Sequence, residues 1–160
     1  MIENVDYSNP KTYEIGGITI NGTNNLNDNA LINISGLSIG EKIKVPSDRI
    51  SSAITKLWKQ GIFSEIEINI DKIQDNIIFI NIEVKEYPRL SKFKFKGKIS
   101  KSDISTLKED LKLIRGKVLT NNLINNSINK IKSYYIDKGF FNVSVKHNTS
   151  IDSTLSNSKS

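Results

Sequence analysis

Apolar residues recur along the first part of the chain at two spacings, one typical of strands and one typical of helices. Residues 15–21 alternate, with Ile18 and Ile20 on one face, and this spacing of two predicts a strand. Asn27 or Asp28 can cap the short helix that the following apolar residues predict. The chain therefore opens with a strand and a helix.

A second helix is predicted after the break at Pro46-Ser47-Asp48, and Gly61 ends its pattern. Its apolar residues follow the spacing i, i+3, i+4, i+7 and i+8, which places them in one continuous stripe: Ile50, Ala53, Ile54, Leu57 and Trp58. Because Trp58 lies on this stripe, we expect its ring to pack in the core rather than to serve as a stacking platform.

After the second helix the spacing changes to two, and the next two segments are predicted to pair as an antiparallel hairpin. The first places Ile66, Ile68 and Ile70 on one face. A turn signal at 74–76 precedes a longer strand, whose apolar face is formed by Ile78, Ile80, Ile82 and Val84. Polar residues of both strands are expected on the face away from the helices.

Three sequence patterns occur twice in the same order, which indicates an internal repeat. In pairs, they are ITING 18–22 and FKFKG 93–97, GEK 40–42 and GKV 116–118, and LWKQGIF 57–63 and YIDKGFF 135–141. The separations are 75, 76 and 78 positions. The chain is thus predicted to contain two copies of one β-α-α-β-β module.

The second copy begins after Tyr87-Pro88-Arg89, where proline interrupts the strand pattern. The alternating segment 92–96 predicts its first strand, and Phe141, Val143 and Val145 predict a later one. Two apolar stripes predict the helices between them: Ile104, Leu107 and Leu111, then Ile124, Ile128, Ile131 and Tyr135.

The pattern stops there, since residues 148–160 are polar and aperiodic and no counterpart of the strand at 76–86 follows. We therefore expect a fragment of a longer protein, with a second module that is mobile or only partly folded. The predicted organisation is a tail at 1–12, a first module at 13–87, a truncated module at 88–147 and a flexible tail at 148–160. The fold class is α+β, with two helices on one face of a small sheet.

Charge is distributed unevenly. Residues 1–87 hold 8 basic and 12 acidic residues, whereas residues 88–160 hold 15 and 5, within a net charge of +6. This asymmetry is either compositional or the sign of an anionic partner, nucleic acid or lipid. The sequence contains no apolar run long enough for a membrane-spanning helix, and its first residues lack the pattern of a signal peptide.

Few residues point to chemistry. The chain has no cysteine and His147 is its only histidine, whereas a zinc site needs three or four ligands, so a metal role for His147 is disfavoured. Residues 24–28 fit a turn and a helix cap better than a calcium loop. We expect no cofactor and no metal, and a binding module rather than an enzyme.

Three segments resemble POTRA (polypeptide-transport-associated) domains: YEIGGITING at 13–22, LWKQGIFSEI at 57–66 and YIDKGFFNVSV at 135–145. More narrowly, they are similar to the start of the BamA family of outer-membrane assembly factors in Bacteroidetes-type bacteria. The resemblance implies tandem POTRA modules on the periplasmic face of the outer membrane, in a parent anchored by a C-terminal β-barrel. It also implies a scaffold for unfolded outer-membrane proteins and accessory lipoproteins. The alternatives are a POTRA module of a two-partner secretion transporter or cell-division protein, and a basic nucleic-acid-binding module.

In this family the first hairpin strand is the edge of the sheet, so the resemblance implies an edge at residues 64–71. An exposed edge has unused N–H and C=O groups to which another chain can add as a strand. The candidate partner-binding residues are Glu65, Ile66, Glu67, Ile68, Asn69 and Ile70. The polar ones, together with Asp71, are expected to face solvent and to oppose self-association.

A second candidate surface is the series Lys92, Lys94, Lys96, Lys98 and Lys101. Alternate lysines on one strand face can contact lipid headgroups or phosphates. Nucleic-acid-binding sheets usually carry aromatic residues on that same face, whereas Phe93 and Phe95 are predicted on the other. The series is interpreted as a solvated face, with lipid headgroups as candidate partners of Lys92, Lys94 and Lys96 and with nucleic acid disfavoured.

Overall fold

A computed structural model describes residues 8–24 and 26–152. The chain forms two compact units, residues 1–87 and residues 88–160. Of the predicted tails, residues 1–7 and 153–160 lie outside the described residues. Within the part that is described, no helix is long and apolar enough to cross a membrane.

The first unit is an α+β unit with a single four-stranded sheet. Its elements are β1 Lys11–Asn21, α1 Asp28–Ser35, β2 Lys42–Val45, α2 Asp48–Trp58, β3 Phe63–Gln74 and β4 Ile77–Glu86. The strand order is β2-β1-β4-β3, in which β1 and β4 run parallel and the other neighbours antiparallel. The predicted α+β fold is therefore confirmed, with β2 as a strand that the sequence patterns did not predict.

Both helices begin at a residue whose side chain caps the first turn, and α1 ends at a glycine. The Asn27 side chain accepts a hydrogen bond from the Ala30 N–H at 3.1 Å, which decides between the two predicted caps of α1. Gly36 follows α1 in the left-handed conformation. At α2, the Ser47 hydroxyl accepts from the Arg49 N–H at 3.2 Å.

The core lies between the two helices and one face of the sheet. β4 contributes the predicted apolar face, Ile78, Ile80, Ile82 and Val84, all buried. Ala53 and Leu57 of α2 are fully buried against this cluster. Trp58, in contrast, is 43% exposed, so the expectation that it packs in the core is wrong. It is the last residue of α2 and lies beside the buried stripe rather than on it.

The second unit contains two helices, α3 Lys101–Leu111 and α4 Asn121–Asp137, capped by Ser100 and Thr120. The Asp103 carboxylate joins them, because it accepts hydrogen bonds from the Tyr134 hydroxyl at 2.8 Å and from the Lys138 ammonium. These bonds hold the pKa of Asp103 at about 2, below its usual 3.8, with the Lys138 bond contributing most.

The repeat seen in the sequence is also present in the hydrogen bonds. In the first unit the Ile15 N–H donates to the Glu41 carbonyl at 2.9 Å, and the Gly40 N–H donates to the Ile15 carbonyl at 2.7 Å. In the second unit Leu90 takes the place of Ile15. Its N–H donates to the Lys117 carbonyl at 2.8 Å, and its carbonyl accepts from the Gly116 N–H at 2.7 Å. Each unit therefore contains its own copy of this pair of main-chain hydrogen bonds.

The predicted strands at 92–96 and at 141–145 do not form, so this part of the prediction is wrong. In the first unit, β1 pairs with β4 from Glu14 to Asn21, and β3 pairs with β4 from Phe63 to Gln74 except at its two bulges. The described residues of the second unit include no counterpart of β4, so both outer segments lack their partner. For the same reason the predicted stripe of α4 is only half-buried.

Candidate strand-addition edge

β3 is an edge strand of the sheet. It pairs along one side with β4, from Phe63 to Gln74, and no described strand pairs with its other side. β2 forms the opposite edge of the sheet but is only four residues long. β3 therefore offers the longer edge of the first unit.

The direction of the main chain in β4 shows which groups of β3 face outwards. The Asn76 carbonyl accepts from the Glu14 N–H of β1 at 2.7 Å, and the Val84 carbonyl oxygen lies against Gly22 at the end of β1. The even-numbered residues of β4 therefore point their N–H and C=O groups towards β1, and the odd-numbered residues point towards β3.

This alternation carries over to β3 through its register with β4. Glu65, Glu67 and Asn69 stand opposite the odd-numbered residues of β4, so their main-chain groups bond to that strand. The N–H and C=O groups of Ile66, Ile68 and Ile70 consequently point away from the sheet. The open edge thus presents three donors and three acceptors at alternate positions.

The side chains of the same residues divide between the two faces of the sheet. Ile66, Ile68 and Ile70 are half-buried and pack against the core on the helix side. Glu65 and Glu67 are exposed on the other face. A strand added here would continue both faces: apolar residues would extend the core, and polar residues would remain in water.

Two β-bulges bracket the regular part of the edge. The register shifts between Phe63 and Glu65 and again between Ile70 and Lys72, where Ser64 and Asp71 are the extra residues. Bulges bend a strand and interrupt its pairing, so the longest unbroken run of pairs is residues 65–70. The structure thus brings all six sequence-predicted residues together on one uninterrupted edge, and their binding role stays a prediction.

The outer face of this edge is acidic, and only some of its carboxylates form ion pairs with a cation. Lys85 of β4 forms an ion pair with Glu65 at 2.7 Å, and the hydrogen bond to Glu65 raises the pKa of Lys85. Glu67 stands opposite Glu83, which accepts a hydrogen bond from the Asn81 amide at 3.0 Å. In the described parts of the chain, no cation forms an ion pair with Glu67 or Glu83.

The comparisons with known proteins agree with this architecture. The family model described as "POTRA: Surface antigen variable number repeat" matches residues 13–87 and again residues 88–159. The chain belongs to the POTRA family. No curated protein is significantly similar to it in sequence.

Solved POTRA structures share the fold at low sequence identity. The N-terminal domain of Omp85 from the cyanobacterium Thermosynechococcus elongatus is 14% identical with a TM-score of 0.52, over 82% of this chain and 54% of that one. This chain therefore spans about half of that structure. POTRA1-2 of the periplasmic domain of Omp85 from Anabaena is 15% identical with a TM-score of 0.51, over 90% of this chain and 91% of that one. At these identities the likeness shows the fold alone.

The solvent face of the first POTRA module has an apolar end that the sequence patterns did not predict. The Phe79 ring lies over Gly16 and Gly17, where a Cβ atom on Gly17 would be only 2.9 Å from the ring. A shallow hollow of about 250 Å³ adjoins the ring and also touches Asp71 and Lys72. The sequence does contain one sign of this feature, because a pair of glycines inside an alternating strand marks the close approach of another group.

In the second POTRA module residues 92–96 form no strand, but the exposure of their side chains alternates as predicted. Lys92, Lys94 and Lys96 are exposed, whereas Phe93 and Phe95 are half-buried and meet edge to face at 5.8 Å. Lys92 lies 3.7 Å from the Asp152 carboxylate. His147 lies in an irregular segment, and the described residues contain no group of carboxylates and histidine that could hold a metal.

Proposed function

We propose that this chain is a periplasmic scaffold segment of an outer-membrane β-barrel assembly machine of the BamA type found in Bacteroidetes. In this role β3 binds unfolded barrel strands, or an accessory lipoprotein, by strand addition. One observation carries the proposal: the outward N–H and C=O groups of Ile66, Ile68 and Ile70 lie on an edge that no described strand covers. The role is one of binding and not of catalysis.

Main-chain pairing suits a receptor for many clients. Hydrogen bonds between backbones depend little on side-chain sequence, and only the alternation of apolar and polar residues has to match. Strands of a membrane barrel alternate in this way, with one face apolar and one polar. The periplasmic location is supported by the likeness to the Anabaena structure, which is described as part of a periplasmic domain.

The proposal is tested by removing one outward donor from the edge. Proline at position 68 deletes an N–H that the β3–β4 ladder does not use, and its ring obstructs the incoming strand. The matched control is Ile68→Ala, which removes the same side chain from the core but keeps the N–H. The probe is an end-capped synthetic peptide of alternating valine and threonine, and its affinity is measured by calorimetry on the full chain.

We expect Ile68→Pro to weaken peptide binding about tenfold or more relative to Ile68→Ala, since a main-chain hydrogen bond and its approach are lost. Circular dichroism of both variants checks that the first module remains folded. Equal affinities in two folded variants would rule out strand addition at β3.

A second candidate function concerns the second module. The alternation of exposed Lys92, Lys94 and Lys96 with half-buried Phe93 and Phe95 favours contact with anionic lipid headgroups. Replacing the three lysines by glutamine should weaken binding to vesicles containing phosphatidylglycerol by about fivefold per lysine. Unchanged binding by the triple variant would remove this candidate.

A further inference from the structure

The β3 edge contains one position where the sheet leaves its own charge uncompensated. Glu65 is paired with Lys85, and Asn69 is neutral. Glu67 stands between them, opposite Glu83, with both side chains exposed. Two carboxylates directly opposite one another repel, and a cation beside them would relieve that repulsion.

We propose that the β3 edge selects strands that carry a lysine or arginine opposite Glu67, a specificity that rests on the proposed function of strand addition. Residues of an added strand that stand opposite Glu65, Glu67 and Asn69 lie on the solvent face. Directly opposite side chains on one face lie about 4.5–5.5 Å apart at Cβ, so a long basic side chain reaches Glu67 easily. Glu83 lies one strand further in and adds to the attraction.

The two bulges define where this selection acts. Residues 65–70 form the longest unbroken run of pairs with β4, so an added strand is held in a single register over this length and must shift at the Asp71 bulge. Within it, Glu67 is the one acidic residue without a cation partner among the described residues. The chemistry of the partner is therefore a short strand with alternating apolar residues and a basic residue near the middle of its polar face.

The test uses three end-capped peptides of about eight residues, a length typical of a strand. Each alternates valine with threonine, and the central polar position is lysine, threonine or glutamate. Affinities for the full chain are measured at low and at high salt. The variants are Glu67→Gln and, as a matched control, Asp71→Asn, which removes the same charge from the bulge just beyond the ladder.

We expect the lysine peptide to bind about two- to tenfold more tightly than the glutamate peptide, as exposed pairs at cross-strand distance do. The preference should shrink at high salt. It should fall to the small part contributed by Glu83 in Glu67→Gln and persist in full in Asp71→Asn.

Three results would overturn the proposal, and they are distinguishable. Equal binding of all three peptides removes the charge selection and leaves strand addition intact. Failure of every peptide to bind removes both. The chain itself contains an alternating basic segment, residues 92–96, so sedimentation of the chain alone is the third measurement. Self-association that Ile68→Pro abolishes would identify a second copy as the occupant instead.

Discussion

Glu67 of β3 and Glu83 of β4 lie directly opposite one another on the solvent face of the sheet. At the neighbouring position on that face, Glu65 faces Lys85 and forms an ion pair with it. Like charges in opposite positions destabilise an antiparallel pair, and unlike charges stabilise it. At the proposed binding edge, Glu67 therefore lowers the stability of the sheet and at the same time supplies the charge that is proposed to attract a basic strand.

Replacing Glu67 by lysine should stabilise the first module. The substitution converts a repulsive pair into an attractive one, so the free energy of unfolding should rise by about 0.5–1 kcal/mol. Urea denaturation followed by the fluorescence of Trp58, the only tryptophan, measures this change. The control is Glu65→Lys, which breaks the pair with Lys85 and should destabilise the module by a similar amount. A loss of stability in Glu67→Lys would contradict this account of the face.

The periodic elements of the first module could be predicted from the sequence because their causes are local. The spacing of two in β4 directly marks the buried face from Ile78 to Val84, and the helical stripe marks Ala53 and Leu57. The candidate edge followed from the family resemblance together with the alternation at 65–70. The order of strands in the sheet now places those residues at its rim.

The features that were missed depend on pairing between distant segments. β2 is a strand of only four residues, too short for its alternation to stand out. The bulges at Ser64 and Asp71 exist only relative to β4, so no single segment reveals them. The strands predicted at 92–96 and 141–145 have the correct alternation, but a strand also needs a partner, and none is present among the described residues.

Gly22 should tolerate no side chain. It has a φ of +88°, and a Cβ atom there would lie 1.8 Å from the Val84 carbonyl oxygen, which is far inside contact distance. Gly40 is the matched control, because its φ of +85° is nearly the same but no atom lies within 4 Å of its Cβ position. We expect Gly40→Ala to cost about 1–2 kcal/mol in unfolding free energy, the ordinary penalty of the left-handed conformation.

Gly22→Ala carries that penalty and the clash with the backbone of β4, so its cost should reach about 3 kcal/mol or more. Urea denaturation of both variants gives the comparison. Equal losses would show that the end of β1 can move away from Val84, contrary to the close packing observed.

The Asp103 carboxylate should make the second module sensitive to acid. Its pKa is about 2 in the folded module, below its usual 3.8, chiefly because of the hydrogen bond from Lys138. A carboxyl with a lowered pKa stabilises the folded state above its unfolded pKa, and this contribution is lost as the pH falls from about 4 to about 2. Contact between α3 and α4 should weaken over that range.

Asp103→Asn isolates this effect, and Asp110→Asn, an exposed change on the same helix, is its control. Asp103→Asn should lower the stability of the second module at neutral pH and flatten its response between pH 4 and 2. NMR signals of Tyr134 and Tyr135, which lie against Asp103, report the change. An acid response identical in wild type and Asp103→Asn would exclude this carboxylate as its cause.

Amide hydrogen exchange should separate the segments of the second module that have partners from those that do not. The helices α3 and α4 satisfy their own N–H groups, and the Leu119 N–H bonds to the Pro88 carbonyl at 2.8 Å. The segments 92–96 and 141–145 form no strand, so their amides should exchange much faster than those of the helices. Their counterparts in the first module, β1 and β3, provide the internal comparison, since the amides that these strands donate to β4, among them those of Glu65, Glu67 and Asn69, should be protected. Protection of residues 92–96 equal to that of residues 17–21 would contradict the prediction, because it would require a pairing partner that the described residues do not supply.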